Sequence, residues 1–176
     1  SGNWSLNVNS GSNNTATGYA ALFSNTNGTG NTASGIWSLG FNSENNNTAS
    51  GYNSGRYQSG GFTSLTTASN SVFLGATTKG VQGAANQLVL GYAAESIGAN
   101  SVVLGNDSIA TTALKGNVGI GTTTPGAALE VATTWNNVAT TFTGIKADVT
   151  DTASAADSKL LDLQVGGVSK FRVDPG

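Results

Sequence analysis

Glu95 and Asp107 are the pair of residues whose type and spacing come closest to chemistry. Two carboxylates held roughly 5–10 Å apart can cleave a glycosidic bond. A separation of 12 residues is close to one repeat of this chain, so the two could stack on adjacent coils. Both also stand among Gly, Asn and Ser, where a carboxylate is ordinarily a solvated turn residue, and that is the expectation. Asp148 and Asp151 read the same way. Gly119-Ile120-Gly121 lacks the third glycine of a dinucleotide loop, and no Gly-Lys-Ser/Thr follows it, so it reads as a repeat corner. The chain has no His and no Cys, which removes the usual zinc ligands, every Cys or His nucleophile–base pair and any disulfide framework. No catalytic, metal-binding or cofactor-binding residue is assigned, no cofactor is expected, and the chain is expected not to be an enzyme.

Aromatic side chains carry a second kind of chemistry, stacking on sugars. Trp4, Tyr19, Trp37, Tyr52, Tyr57 and Phe62 concentrate in the first third of the chain, among Asn and Ser. Trp4 and Trp37 hold equivalent repeat positions, which assigns them to packing inside a coil or on an axis between chains. Tyr57 falls outside the tidy register and is the first candidate for an exposed receptor or glycan contact, with Tyr52 and Tyr19 beside it.

What must position these residues is a short repeat. Asn70-Ser71-Val72-Phe73-Leu74-Gly75, Asn86-Gln87-Leu88-Val89-Leu90-Gly91, Asn100-Ser101-Val102-Val103-Leu104-Gly105 and Asn117-Val118-Gly119-Ile120-Gly121 rewrite one motif, their closing glycines 16, 14 and 16 residues apart. Upstream, Asn14-Thr15-Ala16-Thr17-Gly18, Asn31-Thr32-Ala33-Ser34-Gly35 and Asn47-Thr48-Ala49-Ser50-Gly51 form a looser version at nearly the same period. Such periods mark stacked repeats, and this one is too short to hold a helix. The glycines supply positive φ at a corner, and the asparagines suit turns and can form a ladder when stacked. The expectation is a parallel β-solenoid over residues 1–121.

Side chains alternate across a strand. The expected assignment places Val102 and Leu104 inside the coil, with Leu74 and Leu90 in the same packing set, and turns Phe73, Val89 and Val103 outward. A strand apolar on both faces is normally covered on both. An outward apolar file therefore needs a partner, and three copies of the chain around one axis would bury it.

Half of the 176 residues are Gly, Asn, Ser or Thr, and 9% are charged, far below the usual quarter. The net charge of −2 and the lack of a basic run point away from nucleic acid. No window is apolar for long enough to insert in a membrane. Residues 1–94 hold only the charges Glu44, Arg56 and Lys79, and the remainder holds thirteen. Residues 122–176 are expected to be a separate, more charged segment of antiparallel or intertwined β-structure. Within it Thr122–Gly126 reads as a turn, Ala127–Val131 and Val138–Val149 as strands, Asp151–Asp157 as a polar connection, and Ser158–Val173 as a hairpin about Gly166-Gly167. Asp174-Pro175-Gly176 reads as a turn leading to an element beyond the chain.

The Asn-Ser-Val-Val-Leu-Gly units resemble the head repeats of trimeric autotransporter adhesins. The Asn-Thr-Ala-Ser-Gly units, Gly119-Ile120-Gly121-Thr122-Thr123-Thr124-Pro125 and Ser158–Gly167 are more similar to bacteriophage tail fibres. The resemblance implies a homotrimer of left-handed parallel β-rolls, located extracellularly on a virion tail and attaching to a bacterial surface glycan or envelope protein. Its first alternative is the head of an adhesin on a bacterial outer surface, and its second a polysaccharide-cleaving tailspike. The chain shows no membrane-anchor barrel, heptad stalk or chaperone domain, which is the expectation for a segment of a longer protein.

Overall fold

The computed structural model describes residues 1–132, 145, 158–159 and 161–173. Among the described residues there is no helix. The first strands are β1 (Val8–Asn9), β2 (Thr15–Thr17), β3 (Ser24–Asn25), β4 (Thr32–Ser34), β5 (Thr48–Ser50), β6 (Tyr57–Gln58) and β7 (Val72–Leu74). They are followed by β8 (Lys79–Gly80), β9 (Gln87–Leu90), β10 (Ser101–Leu104), β11 (Val118–Ile120), β12 (Leu129–Val131), β13 (Leu161–Val165) and β14 (Val168–Val173). The chain divides into two compact units, Ser1–Thr112 and Ala113–Gly176.

In the first unit, the repeated triplets form one six-stranded parallel sheet in the order β10-β9-β7-β5-β4-β2. The register never slips. Thr15, Thr32, Thr48, Val72, Leu88 and Val102 form one column, as do Thr17, Ser34, Ser50, Leu74, Leu90 and Leu104. Between successive triplets the chain leaves the sheet and makes shorter pairings, β1 with β3 and β6 with β8, before returning one strand further along.

The middle residue of each triplet faces the core. Ala16, Ala33, Ala49, Phe73 and Val89 are buried with Leu22, Leu39, Leu65, Ala68 and Ala94, and Val103 packs against this cluster from the last strand. The expected sidedness is therefore reversed. Phe73, Val89 and Val103 point in, whereas Val102 and Leu104 are 62% and 53% exposed and Leu74 is exposed as well. Leu90, with Val72 and Leu88, is half-buried. The upstream rungs give the physical reason. Their triplets are Thr-Ala-Thr or Thr-Ala-Ser, so the shared register can bury only the central apolar residue, and the Val/Leu triplets inherit that choice. Space for the Phe73 ring comes from two glycines, since a Cβ on Gly55 or Gly80 would lie 2.9 Å from it.

Two columns lock the rungs. Corner glycines Gly18, Gly35, Gly51, Gly75 and Gly91 all have φ between 119° and 133°. They also stack backbone on backbone, so that a Cβ on Gly18 would meet the Gly35 carbonyl at 2.6 Å. Both the conformation and the contact exclude other residues. The second column is polar and, from Asn31 onward, buried. The Asn14, Asn31 and Asn47 side-chain oxygens accept the backbone N–H of Asn31, Asn47 and Ser71 at 2.9–3.0 Å, and the Ser71 hydroxyl accepts that of Gln87 at 3.1 Å. Asparagine side chains also bond to one another in an exposed column beside it, from Asn46 to Asn70 and from Asn86 to Asn100. These buried side chains therefore bond to the neighbouring rung, which makes them glue between repeats as well as turn formers.

The six-stranded sheet ends at β10. Val118–Ile120, the fourth copy of the motif, pairs in parallel with β12 in the second unit. Gly119 stands where Phe73, Val89 and Val103 supply a core side chain, so this copy has nothing to add to the stack. Also in the second unit, β13 and β14 form an antiparallel hairpin. Its turn residues Gly166 and Gly167 have φ of 58° and 77°, the primed geometry the Gly-Gly pair suggests. Leu161, Leu163, Val165, Val168, Phe171 and Val173 are all exposed. The expected strand at Val138–Val149, apart from Ile145, the connection at Asp151–Asp157 with the Asp148/Asp151 pair, and the final turn at Asp174–Gly176 lie outside the described residues.

Candidate functional site

Four surface features of the first unit bring chemistry-bearing side chains together. The first is a row of rings and cations along one corner. Trp4 and Trp37 do occupy equivalent positions, both in the left-handed region with φ of 63° and 57°. Ala20 holds that position on the rung between them, and Phe23 fills the gap, its ring 5.9 Å from Trp4 and 5.2 Å from Trp37. Phe41 stacks on Trp37 at 5.5 Å. On the next rung the position is Asn53, which accepts a 2.8 Å hydrogen bond from the Arg56 guanidinium. That guanidinium lies 4.2 Å from the Trp37 ring centre and 4.8 Å from Tyr57. The two tryptophans thus pack on the outside of the stack, and not in the coil interior that was one of the two places expected of them.

The second feature is an insertion. Gly51 and Gly75 are 24 residues apart, eight more than the period, and the extra chain folds out around Tyr57–Ser64. The insertion is pinned at several points. Glu95 takes an ion pair from Lys79 at 2.6 Å and the Gly60 N–H at 2.6 Å, and Ser59 donates to the Ser96 carbonyl. Phe62 lies beneath the Lys79 ammonium and edge-on to Tyr57. The Lys79 hydrogen bond, followed by that from Gly60, holds the Glu95 carboxyl below its ordinary pKa. Tyr57 is half-buried in this cluster, so of the three tyrosine candidates it is the least available for contact.

The third is an open pocket of about 490 Å³ at the last rung, lined by Ala93, Glu95, Ser96, Ile97, Val103 and Asp107 among others. It does bring the two carboxylates singled out by spacing to one concavity. With both Glu95 oxygens engaged and its acidity increased, however, that group is poorly placed to hold a proton for delivery, as a general acid must. Among the described residues no group of three or more His, Cys, Asp or Glu gathers to hold a metal ion.

The fourth is the outer face of β7, β9 and β10, where Val72, Leu74, Leu88, Leu90, Val102 and Leu104 replace the Thr and Ser of the upstream rungs. Exposed tyrosines stand just beyond three of the corner glycines: Tyr19 after β2, Tyr52 after β5, and, next to this face, Tyr92 after β9, which sequence reasoning missed. The signal was present, because Gly91-Tyr92-Ala93-Ala94 copies Gly18-Tyr19-Ala20-Ala21.

The chain matches no protein family, no curated protein and no solved structure. Its surfaces carry the functional argument. No helix among the described residues is long and apolar enough to cross a membrane.

Proposed function

We propose that this chain is a structural and adhesive segment of a homotrimeric fibre, carried on a virion tail and attaching it to the bacterial surface. The observation that carries the reading is the outer face of β7, β9 and β10. Six aliphatic side chains in strict register occupy a sheet face that three earlier rungs furnish with Thr and Ser. Contiguous apolar surface of this kind is costly to leave in water and marks an interface. A cyclic arrangement of three copies covers it with identical residues at each level. On this reading the stacked repeats wind as a left-handed parallel β-roll. The exposed apolar side chains of the β13–β14 hairpin give the second unit the same need for a partner, since an isolated two-stranded hairpin is marginal in water.

The mechanism is rigid display. Three copies present the same weak contacts at fixed spacing, and effective concentration converts them into firm attachment without catalysis. The receptor class is a surface glycan or an envelope protein.

A second reading, the head of a bacterial trimeric adhesin, is supported by the same rungs, whose Asn-Ser-Val-Phe-Leu-Gly, Asn-Gln-Leu-Val-Leu-Gly and Asn-Ser-Val-Val-Leu-Gly units resemble the head-type repeat. Labelled chain incubated with bacterial envelopes and with animal cells and matrix separates the two. Saturable binding to envelopes supports the fibre. Binding to animal cells or matrix alone supports the adhesin head. Depolymerisation of envelope polysaccharide, abolished by Glu95→Gln or Asp107→Asn, would replace both with an enzyme.

A further inference from the structure

The position after each corner glycine is occupied in turn by Asn3, Tyr19, Ile36, Tyr52, Ala76, Tyr92 and Asn106. Backbone bonds hold this column in phase. The carbonyls of Asn3, Tyr19, Ile36, Tyr52 and Ala76 each accept the N–H of the residue one position further on in the next rung, at 2.8–3.0 Å, and the Asn106 amide reaches the Tyr92 carbonyl at 2.7 Å. Tyrosine therefore recurs on every second rung, after β2, β5 and β9, and these are two strand steps apart in the sheet. At 4.7–4.9 Å per step the three rings repeat at about 9.6 Å. They are 45%, 53% and 72% exposed. Tyr52 and Tyr92 make no ring contact among the described residues, and Tyr19 meets only the edge of Trp37.

We infer that this file binds a linear, uncharged polysaccharide lying along the stack, one tyrosine per two-sugar unit. The pitch selects the polymer. An extended two-sugar unit has about this length, whereas a peptide strand repeats every ~6.8 Å per residue pair and would drift out of phase within one interval. Charge selects against acidic chains. Arg56 and Lys79 are the only cations of residues 1–94, and they are committed to Trp37 and Asn53 and to Glu95. Hydroxyls for the sugar edges stand two positions before Tyr19, Ile36 and Tyr52, at the exposed Thr17, Ser34 and Ser50, and give way to Leu74 and Leu90 before Ala76 and Tyr92. Alternation leaves Ile36 and Ala76 between the rings, giving the polymer an apolar floor without a competing stack. The inference rests on the adhesive reading above and specifies its ligand class and its residues.

The test uses the whole chain on immobilised linear polysaccharides, neutral and acidic, with two-sugar and other repeats. Binding to neutral two-sugar polymers is expected, with a loss of about tenfold or more in the Tyr19→Ala/Tyr52→Ala/Tyr92→Ala variant, because three contacts along one chain act together. The thermal midpoint and assembly mass should be unchanged. A second variant, Ile36→Tyr/Tyr52→Ala, keeps three rings but breaks their pitch, and should bind as weakly as Tyr52→Ala alone. Equal binding by the triple variant and the parent, full recovery in the pitch variant, preference for acidic polymers, or binding to none would each overturn the inference. A changed assembly mass in the triple variant would assign the file to contacts between copies and overturn it likewise. Envelope binding and trimer mass that persist while polysaccharide binding fails would leave the fibre reading standing.

Discussion

Phe73 and Val89 stand opposite each other in the pairing of β7 with β9, and both are fully buried. Their immediate neighbours Val72, Leu74, Leu88 and Leu90 fall on the other side of the same sheet. One residue of register separates a core position from a position on the proposed assembly face, so a single substitution can test either. A buried charge at Val89 has no partner, and Val89→Asp should destabilise the fold by about 3 kcal/mol or more. Leu104→Lys and Val102→Lys should leave the secondary-structure signal and the thermal midpoint of the unassembled chain near those of the parent, and abolish assembly. Circular dichroism melts combined with light scattering read both effects.

Gly80 has an ordinary backbone, yet a Cβ there would lie 2.7 Å from Leu65 Cδ2 and 2.9 Å from the Phe73 ring. Gly80→Ala should therefore cost about 1–3 kcal/mol through overpacking, against the usual stabilising trend of glycine-to-alanine changes. The paired variant Gly80→Ala/Phe73→Leu should recover part of that loss in denaturant titrations.

Asn47 links three rungs. Its oxygen accepts the Ser71 N–H, its amide donates to the Ala68 carbonyl at 2.7 Å, and its own N–H reaches Asn31. Asn47→Leu preserves volume but leaves the buried Ser71 N–H without its acceptor, whereas the Ala68 carbonyl keeps the Asn42 amide and Asn31 keeps the backbone N–H of residue 47, so a loss of about 1–3 kcal/mol is expected. Amide hydrogen exchange should rise first at Ser71.

The Lys79–Glu95 pair ties the insertion to the stack. Because the folded-state pKa of Glu95 is lowered, its contribution is full above the ordinary carboxylate value, about 4.3, and is lost as pH falls through the folded value. The difference in thermal midpoint between the parent and Glu95→Gln should accordingly be constant from pH 6 to 7 and shrink below about pH 4. A difference that grew on acidification would contradict the ion pair as drawn.

The all-β class, the rungs, the glycine corners and the Gly166-Gly167 turn are legible in the sequence because each follows from spacing or from a backbone demand only one residue meets. Sidedness is not. The triplet Val102-Val103-Leu104 is apolar throughout, so alternation alone cannot say which face is inside. The decisive information lies 50 to 90 residues upstream, in the alanines of Thr-Ala-Thr and Thr-Ala-Ser, read through a register that only the fold supplies. The aromatic row is hidden for a similar reason. Phe23 and Arg56 stand five residues after their corner glycines and Phe41 six, whereas Trp37 stands two after its own, and they meet only because the rungs stack. Tyr92, by contrast, was readable from its local copy of Gly-Tyr-Ala-Ala.

The account turns on whether the Val/Leu face of β7, β9 and β10 is covered by other copies of the chain. Sedimentation equilibrium of the purified protein measures this directly. The account predicts a species of three times the 17.5 kDa chain mass that Leu104→Lys dissociates. A folded, stable monomer at micromolar concentration, with that face open to water, would contradict it.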